Sequence, residues 1–322
     1  MGYRLGIDLG AATLVAAVAR PGSPVHLVML GADRPAASTE ALTDGQTGED
    51  ATAALLRFAR DRAIQQFGQV PDEVVVTQPG HWNEAERASF DRAVALAGLG
   101  VVRRTTQAEA AACSHAARTH VPVGARIVVF DLGGGSCEAS VLERVSTGFT
   151  ILGTSGGSHP SGSDFDEAVF RLVLGGAGAP GRDLTDPATL AAIRRACVAA
   201  KETLSTEAFT DVTLPALNAV VRLSRVEVDS LIRGPLREGI ALVGQVLAAA
   251  VVAARDLTAV LAVGGCSRMP IVKALLAKEV PAPIVEVAQP ETEVAIGAAG
   301  GVEAFVQQAG PVDAPLPVAP VP

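Results

Sequence analysis

Two short segments of this chain repeat one another about 120 residues apart, and that repeat constrains the fold more than any other feature. IDLGAAT begins at Ile7 and FDLGGGS at Phe130. Each has an acidic residue ending an apolar run, then a turn of small residues, then a hydroxyl. Around each, the pattern predicts strand, turn, strand, turn, strand. Arg4 to Leu9, Thr13 to Ala19 and His26 to Leu30 make the first set; Arg126 to Asp131, Cys137 to Leu142 and Phe149 to Gly153 make the second. Short apolar runs separated by Gly, Pro and other small residues read as consecutive hairpins. An architecture used twice predicts an α/β chain of two lobes, each presenting its own hairpin to a shared cleft.

The hairpins point to phosphate. A glycine turn after a strand can gather several backbone N–H groups into one concavity, and such concavities hold anions. Gly133, Gly134 and Gly135 carry no Cβ to keep an anion at a distance. Asp8 and Asp131 cannot hold phosphate themselves, since like charges repel. Their plausible use is to anchor the water shell of Mg²⁺, which binds phosphates and carboxylates together. Two ordinary hairpins with acidic turn starts are the alternative, and the matching positions in two halves favour the nucleotide.

Elsewhere the periodicity predicts a helix from Gly48 to Phe67, a strand from Val74 to Thr77, and a helix begun by Asn83 and stopped by Gly98 and Gly100. Ser163 to Glu238 reads as helix-rich with one strand-like interruption, Val212 to Leu214. A buried strand, Thr258 to Val263, ends in Gly264-Gly265; helices follow at Pro270 to Glu279 and Glu291 to Val306. Arg34 to Thr47 reads as loop. The five prolines between Gly310 and Pro322 predict a disordered or polyproline-like tail over residues 307–322.

Composition narrows the function. The net charge of -8, with no basic run longer than a pair, argues against a nucleic-acid partner. Cys113, Cys137, Cys197 and Cys266 are far apart, which fits a reduced cytoplasmic chain better than a disulfide framework. No secretory segment opens the chain. The most apolar stretch, Ile240 to Ala254, is too short to span a bilayer and reads as a buried helix, so no membrane insertion is expected.

In sequence order, seven segments resemble the ATPase domain of the 70-kDa heat-shock chaperones. GIDLG at Gly6 and VVFDLGGGS at Val128 look like its two phosphate loops, and TQPGHWNEAER at Thr77 like a strand and helix between them. SHPSGSDFDEAV at Ser158, ACVAAKETLS at Ala196, AVGGCSRMPIV at Ala262 and QPETEVAIGAA at Gln289 are similar to later family segments. The resemblance covers Gly6 to about Ala304. It implies the actin-like, ribonuclease H-like duplicated fold, ATP or ADP with Mg²⁺, and hinge motion between lobes. It further implies nucleotide contacts at Gly10, Thr13, Gly133, Gly134, Gly135, Ser136, Gly162, Lys201, Ser205, Gly264, Gly265, Arg268 and Glu291. Lobe I is expected over residues 1–121 and 288–306, and lobe II over 122–287 with a helical outer part at about 160–238.

The departures from the family bear on chemistry. Ala11 and Ala12 stand where the family has two hydroxyl residues. Gln107 stands where it has a carboxylate that organises the attacking water, and an amide cannot act as a base. Glu109, two helical positions on, points elsewhere. No lysine precedes Lys201, so the family's lobe I phosphate-contacting lysine is missing; Arg34 is the conceivable stand-in. Glu202 beside Arg268 suggests a salt bridge across the adenosine pocket. Between Leu30 and Ala54 too few residues remain to build the family's outer subdomain of lobe I, so that subdomain is expected to be reduced and the cleft open on that side. Three functions stay open. One is a nucleotide-binding module of slow or absent hydrolysis acting on a protein partner through lobe closure. Another is a nucleotide-free scaffold. The third is an active ATPase using Asp8, Asp131 and Glu138 to position a Mg²⁺-bound water.

Overall fold

The computed structural model describes residues 2–31, 34–43, 47–177 and 186–300. Its first half runs β1 (Arg4–Leu9), β2 (Thr13–Ala19), β3 (His26–Leu27), β4 (Ala36–Ser38), α1 (Thr39–Thr43), α2 (Glu49–Phe67), β5 (Glu73–Gln78), α3 (Glu84–Ala97), β6 (Val102–Thr106) and α4 (Gln107–Arg118). The second runs β7 (Arg126–Leu132), β8 (Cys137–Val145), β9 (Gly148–Gly157), α5 (Gly162–Gly176), α6 (Pro187–Thr203), β10 (Phe209–Leu214), β11 (Ala219–Ser224), α7 (Arg225–Ala249), β12 (Leu257–Val263), α8 (Pro270–Glu279), β13 (Ile284–Val285) and α9 (Glu293–Gly300).

The duplication is visible in the sheets. The first has the order β3-β2-β1-β5-β6, with β4 added beside β2; the second has the order β9-β8-β7-β12-β13. In each, an antiparallel meander of three strands continues into two parallel strands. Strand positions and directions therefore correspond one to one. The fold is the two-lobed actin-like one expected.

A layer of small residues joins the halves. α4 packs Ala108, Ala110, Ala111 and Ala112 inward, and α9 packs Ala295, Gly297, Ala298 and Ala299. A Cβ on Gly297 would run into the carbonyl of Ala110, so the two helix backbones approach as closely as glycine permits. The same alanine layer continues into Ile127, Val129, Leu261 and Val263 of the second sheet, which makes one core shared by both halves. At its edge Glu293, almost fully buried, accepts from Ser114 at 2.7 Å and Arg118 at 2.6 Å.

Several elements differ from the sequence reading. Arg34 to Thr47 is not all loop: β4 pairs with β2 from Thr13↔Ser38 to Val15↔Ala36, and α1 follows. The pairing satisfies an edge that an isolated hairpin leaves open. No separate sheet stands between β3 and α2 among the described residues. The interruption at Val212 is a complete hairpin, β10–β11, closed by Asn218 in the left-handed region. β6 and α4 had no clear pattern. β6 is a polar edge strand whose Arg103 and Arg104 pair with Glu73 and Asp91, and α4 is alanine-rich with a Thr106–Glu109 capping box. The helix expected over Glu291 to Val306 is described only as α9, and the tail at 307–322 lies outside the described residues. All four cysteines are free and buried. No described helix is long and apolar enough to cross a membrane.

Candidate functional site

β1 and β2 bring Asp8 to a hairpin whose turn closes with Gly10 N–H donating to Thr13 O at 2.9 Å; β7 and β8 do the same for Asp131, with Gly133 N–H donating to Ser136 O at 3.0 Å. The two turns face each other. A Cβ on Gly134 would run into that of Ala12, and one on Gly135 into that of Ala11. The carbonyls behind the turns are taken. Thr39 holds Ala11 O (2.6 Å) and Ala12 O (3.1 Å), while the start of α5 holds Gly133 O and Gly134 O through Gly162 and Ser163. The N–H groups of Ala11, Ala12, Gly134, Gly135 and Ser136 donate to no group among the described residues. That is a cradle of unsatisfied donors, the arrangement an anion completes.

Behind the cradle lies a cleft of about 920 Å³ bounded by both halves. Of the residues the sequence proposed, Asp8, Gly10, Thr13, Gln107, Asp131, Gly133, Gly134, Gly135, Ser136, Lys201, Ser205, Gly264, Gly265, Arg268 and Glu291 all line it. Two do not. Gly162 lies beneath the second turn, where a Cβ would press on Cys266 Sγ and Gly133 O. Glu138, nearly fully buried, sits behind Asp131 and reaches across to the other half: it accepts from His81 N–H at 3.0 Å, and its Oε2 lies 2.7 Å from His81 Nδ1. The register explains this, because Glu138 opposes Asp131 on the neighbouring strand. Its charge helps push the pKa of Asp131 up.

The two aspartates have unlike surroundings. Asp8 Oδ1 accepts from Thr77 Oγ1 at 2.5 Å and from Gln107 Nε2 at 3.0 Å. Burial pushes the pKa of Asp8 up, and those two bonds pull it down. Asp131 accepts no hydrogen bond from the described residues; burial, then the charges of Asp8 and Glu138, push it up to about 8. A half-buried carboxylate pair, one member of which accepts no hydrogen bond from the described residues, suits a hydrated cation between it and phosphate. Among the described residues no cluster of three or more His, Cys, Asp or Glu could ligate a metal directly. A cation in this place would be held through its water shell, as Mg²⁺ commonly is.

The far end of the cleft corrects one expectation. Arg268 does not bridge to Glu202; both arms of its guanidinium bind Glu291, one at 2.9 Å. Glu291 lies just before α9, and only the folded chain brings it to the 3₁₀ turn Gly265–Arg268. Lys201 Nζ is buried 2.8 Å from Asp166 and 3.3 Å from Gly162 O. Gly264 takes φ +82, with Asp131 Oδ1 and Leu132 O only 2.5 Å from where a Cβ would sit. Glu109 is spent on capping α4, so it does not replace the missing carboxylate. Thr77, Asp166 and the Lys273–Glu286 pair escaped the sequence reading. Thr77 had one available signal: β1 pairs in parallel with β5, Ile7↔Val76, which seats the next residues, Asp8 and Thr77, side by side.

Two matching sheets, each giving a glycine or alanine hairpin to one cleft, define a two-lobed actin-like nucleotide-binding domain. The chain belongs to the Hsp70 family: the family model described as Hsp70 protein matches residues 19–310. It is 28% identical over 345 residues to the chaperone protein DnaK of Metamycoplasma hominis, covering 92% of this chain and 58% of that protein. It is 34% identical over 251 residues to the HscA homolog of Methylococcus capsulatus, covering 77% and 40%. The HscA homolog of Acidithiobacillus ferrooxidans is 30% identical over 263 residues, covering 80% and 41%. The chain thus spans roughly two fifths to three fifths of the length of these relatives.

Proposed function

We propose that this domain binds ATP or ADP with Mg²⁺ in the cleft, hydrolyses it slowly or not at all, and acts on a protein partner through closure of its two lobes. One observation carries the hydrolytic part. Gln107 Nε2 donates to Asp8 at 3.0 Å, and an amide in that place has no basic site with which to take a proton from water. The same bond holds Asp8 in one orientation, so Gln107 serves binding where a carboxylate would serve chemistry. The unsatisfied N–H groups of both turns support phosphate binding, and Asp8 and Asp131 would hold the Mg²⁺ water shell. That ion, when bound, neutralises phosphate charge.

The closing units in this reading are lobe I, residues 1–121 and 288–306, and lobe II, residues 122–287, hinged where α4 meets α9. The outer part at about 160–238 walls the cleft on one side. The reading places the protein in the cytoplasm, where four free thiols stay reduced. A second reading, a nucleotide-free scaffold, draws on the contact of Ala11 and Ala12 with Gly135 and Gly134, which leaves little room between the turns.

Calorimetric titration with ATP and ADP, with and without Mg²⁺, separates the two. Mg²⁺-dependent binding with turnover near background is expected. No heat with either nucleotide leaves only the scaffold, and turnover of ~1 per second or more would refute the slow site.

A further inference from the structure

The cleft's charges are unevenly committed. Three of its cations are already paired with cleft carboxylates: Lys201 with Asp166 at 2.8 Å, Arg268 with Glu291, and Lys273 with Glu286 at 2.6 Å. Asp8 and Glu202 remain on the negative side without a cationic partner among the described residues. Against them stands Arg34, which lines the cleft from the first half, is exposed, and has no carboxylate partner among the described residues.

The backbone of Arg34 is held at both ends. Its carbonyl accepts from Gly31 N–H at 3.0 Å, and two residues later β4 begins its pairing with β2, directly behind the first turn. β4 leads into Thr39, which grips the carbonyls of Ala11 and Ala12. The guanidinium is thus carried by the same short structure that positions the first cradle.

We propose that Arg34 is the lobe I cation that receives the phosphate end of the cleft's ligand, a nucleoside polyphosphate. This rests on the nucleotide reading above. An anion entering this cleft meets an excess of negative charge, and the turns oppose it only with partial charges on N–H groups. A polyphosphate needs a full positive charge that is not already neutralised, and Arg34 supplies it. Its planar fork can take two phosphate oxygens at once. An exposed guanidinium also gives up little hydration before the ligand arrives, so its charge is available at encounter.

The test is calorimetric titration of the full chain with ATP, ADP, AMP and adenosine, each with Mg²⁺, for the wild type, Arg34→Ala and Arg34→Lys. Arg34→Ala is expected to weaken ATP by about tenfold or more, with the loss shrinking along the series to nothing for adenosine. Arg34→Lys should recover part of the ATP affinity, since a point charge replaces the fork. Unchanged thermal midpoints show that the fold is intact. Equal ATP affinity in wild type and Arg34→Ala, or equal weakening of all four ligands, overturns the inference and leaves the nucleotide reading standing. A wild type that binds none of the four ends both.

Discussion

The two hairpins share one plan and differ in what fills it. Gly10 and Gly133 close equivalent turns, and Asp8 and Asp131 each stand one residue before the end of equivalent strands. Where the second turn has Gly134 and Gly135, the first has Ala11 and Ala12; where Glu138 opposes Asp131, Val15 opposes Asp8. In the first half the carboxylate is satisfied by Thr77 and Gln107 and the turn is filled by methyl groups. In the second the carboxylate is unsatisfied, backed by another acid, and the turn is bare backbone. The first carboxylate is thus met by protein groups, while the second is left to whatever enters the cleft. The outer parts diverge in the same sense: β4 and α1 in the first half, but two helices, a hairpin and the start of α7 in the second.

The sharpest break of this comparison is Gly134→Val, with Asp131→Ala as its partner. A branched side chain at Gly134 meets Ala12 and forces the turns apart. Titration should show Mg·ATP binding abolished in both variants, and unchanged affinity would place the nucleotide elsewhere. Next is Gly264→Ala, which puts a Cβ against Asp131 and Leu132 at a left-handed φ. A loss of about 1–3 kcal/mol is expected in chemical denaturation, whereas Ala12→Gly in the first turn should change stability far less.

The aspartates themselves can be compared through pH. The folded pKa of Asp131 is raised above its unfolded value, to about 8. The stability it contributes is complete below the unfolded carboxylate range and is lost as pH rises through about 8. In chelator, the thermal midpoint should fall between pH 6 and 9, and Asp131→Asn should flatten that slope more than Asp8→Asn does. A slope untouched by Asp131→Asn would put the buried charge elsewhere. The smallest effect is expected from Gln107→Glu. It restores a carboxylate but removes a donor from Asp8 and sets a like charge beside it, so single-turnover hydrolysis should rise only partly. Rates typical of efficient enzymes in that variant would show that Gln107 alone had silenced the site.

Features that depend on near neighbours in the chain could be read before folding was known. The two turns were legible because glycine, small residues and an acidic strand end specify a hairpin locally. α3 was legible because Asn83 and Glu86 form a capping box and Gly98 ends the helix in the left-handed region. The two antiparallel meanders followed from the repeat, and most of the cleft's lining followed from the family segments. Which charges met depended on packing across the whole molecule. Glu291 rather than Glu202 took Arg268, because the turn leading into α9 is folded back onto the 3₁₀ turn that carries Arg268. Glu138 turned to His81 of the other half because its strand register set it behind Asp131. The polar edge strand β6 gave no alternation to read and is held by its pairing with β5 and by Glu73 and Asp91. Local propensity fixes a turn within a few residues, but the partner of a buried charge is chosen by packing, and packing is a property of the whole fold.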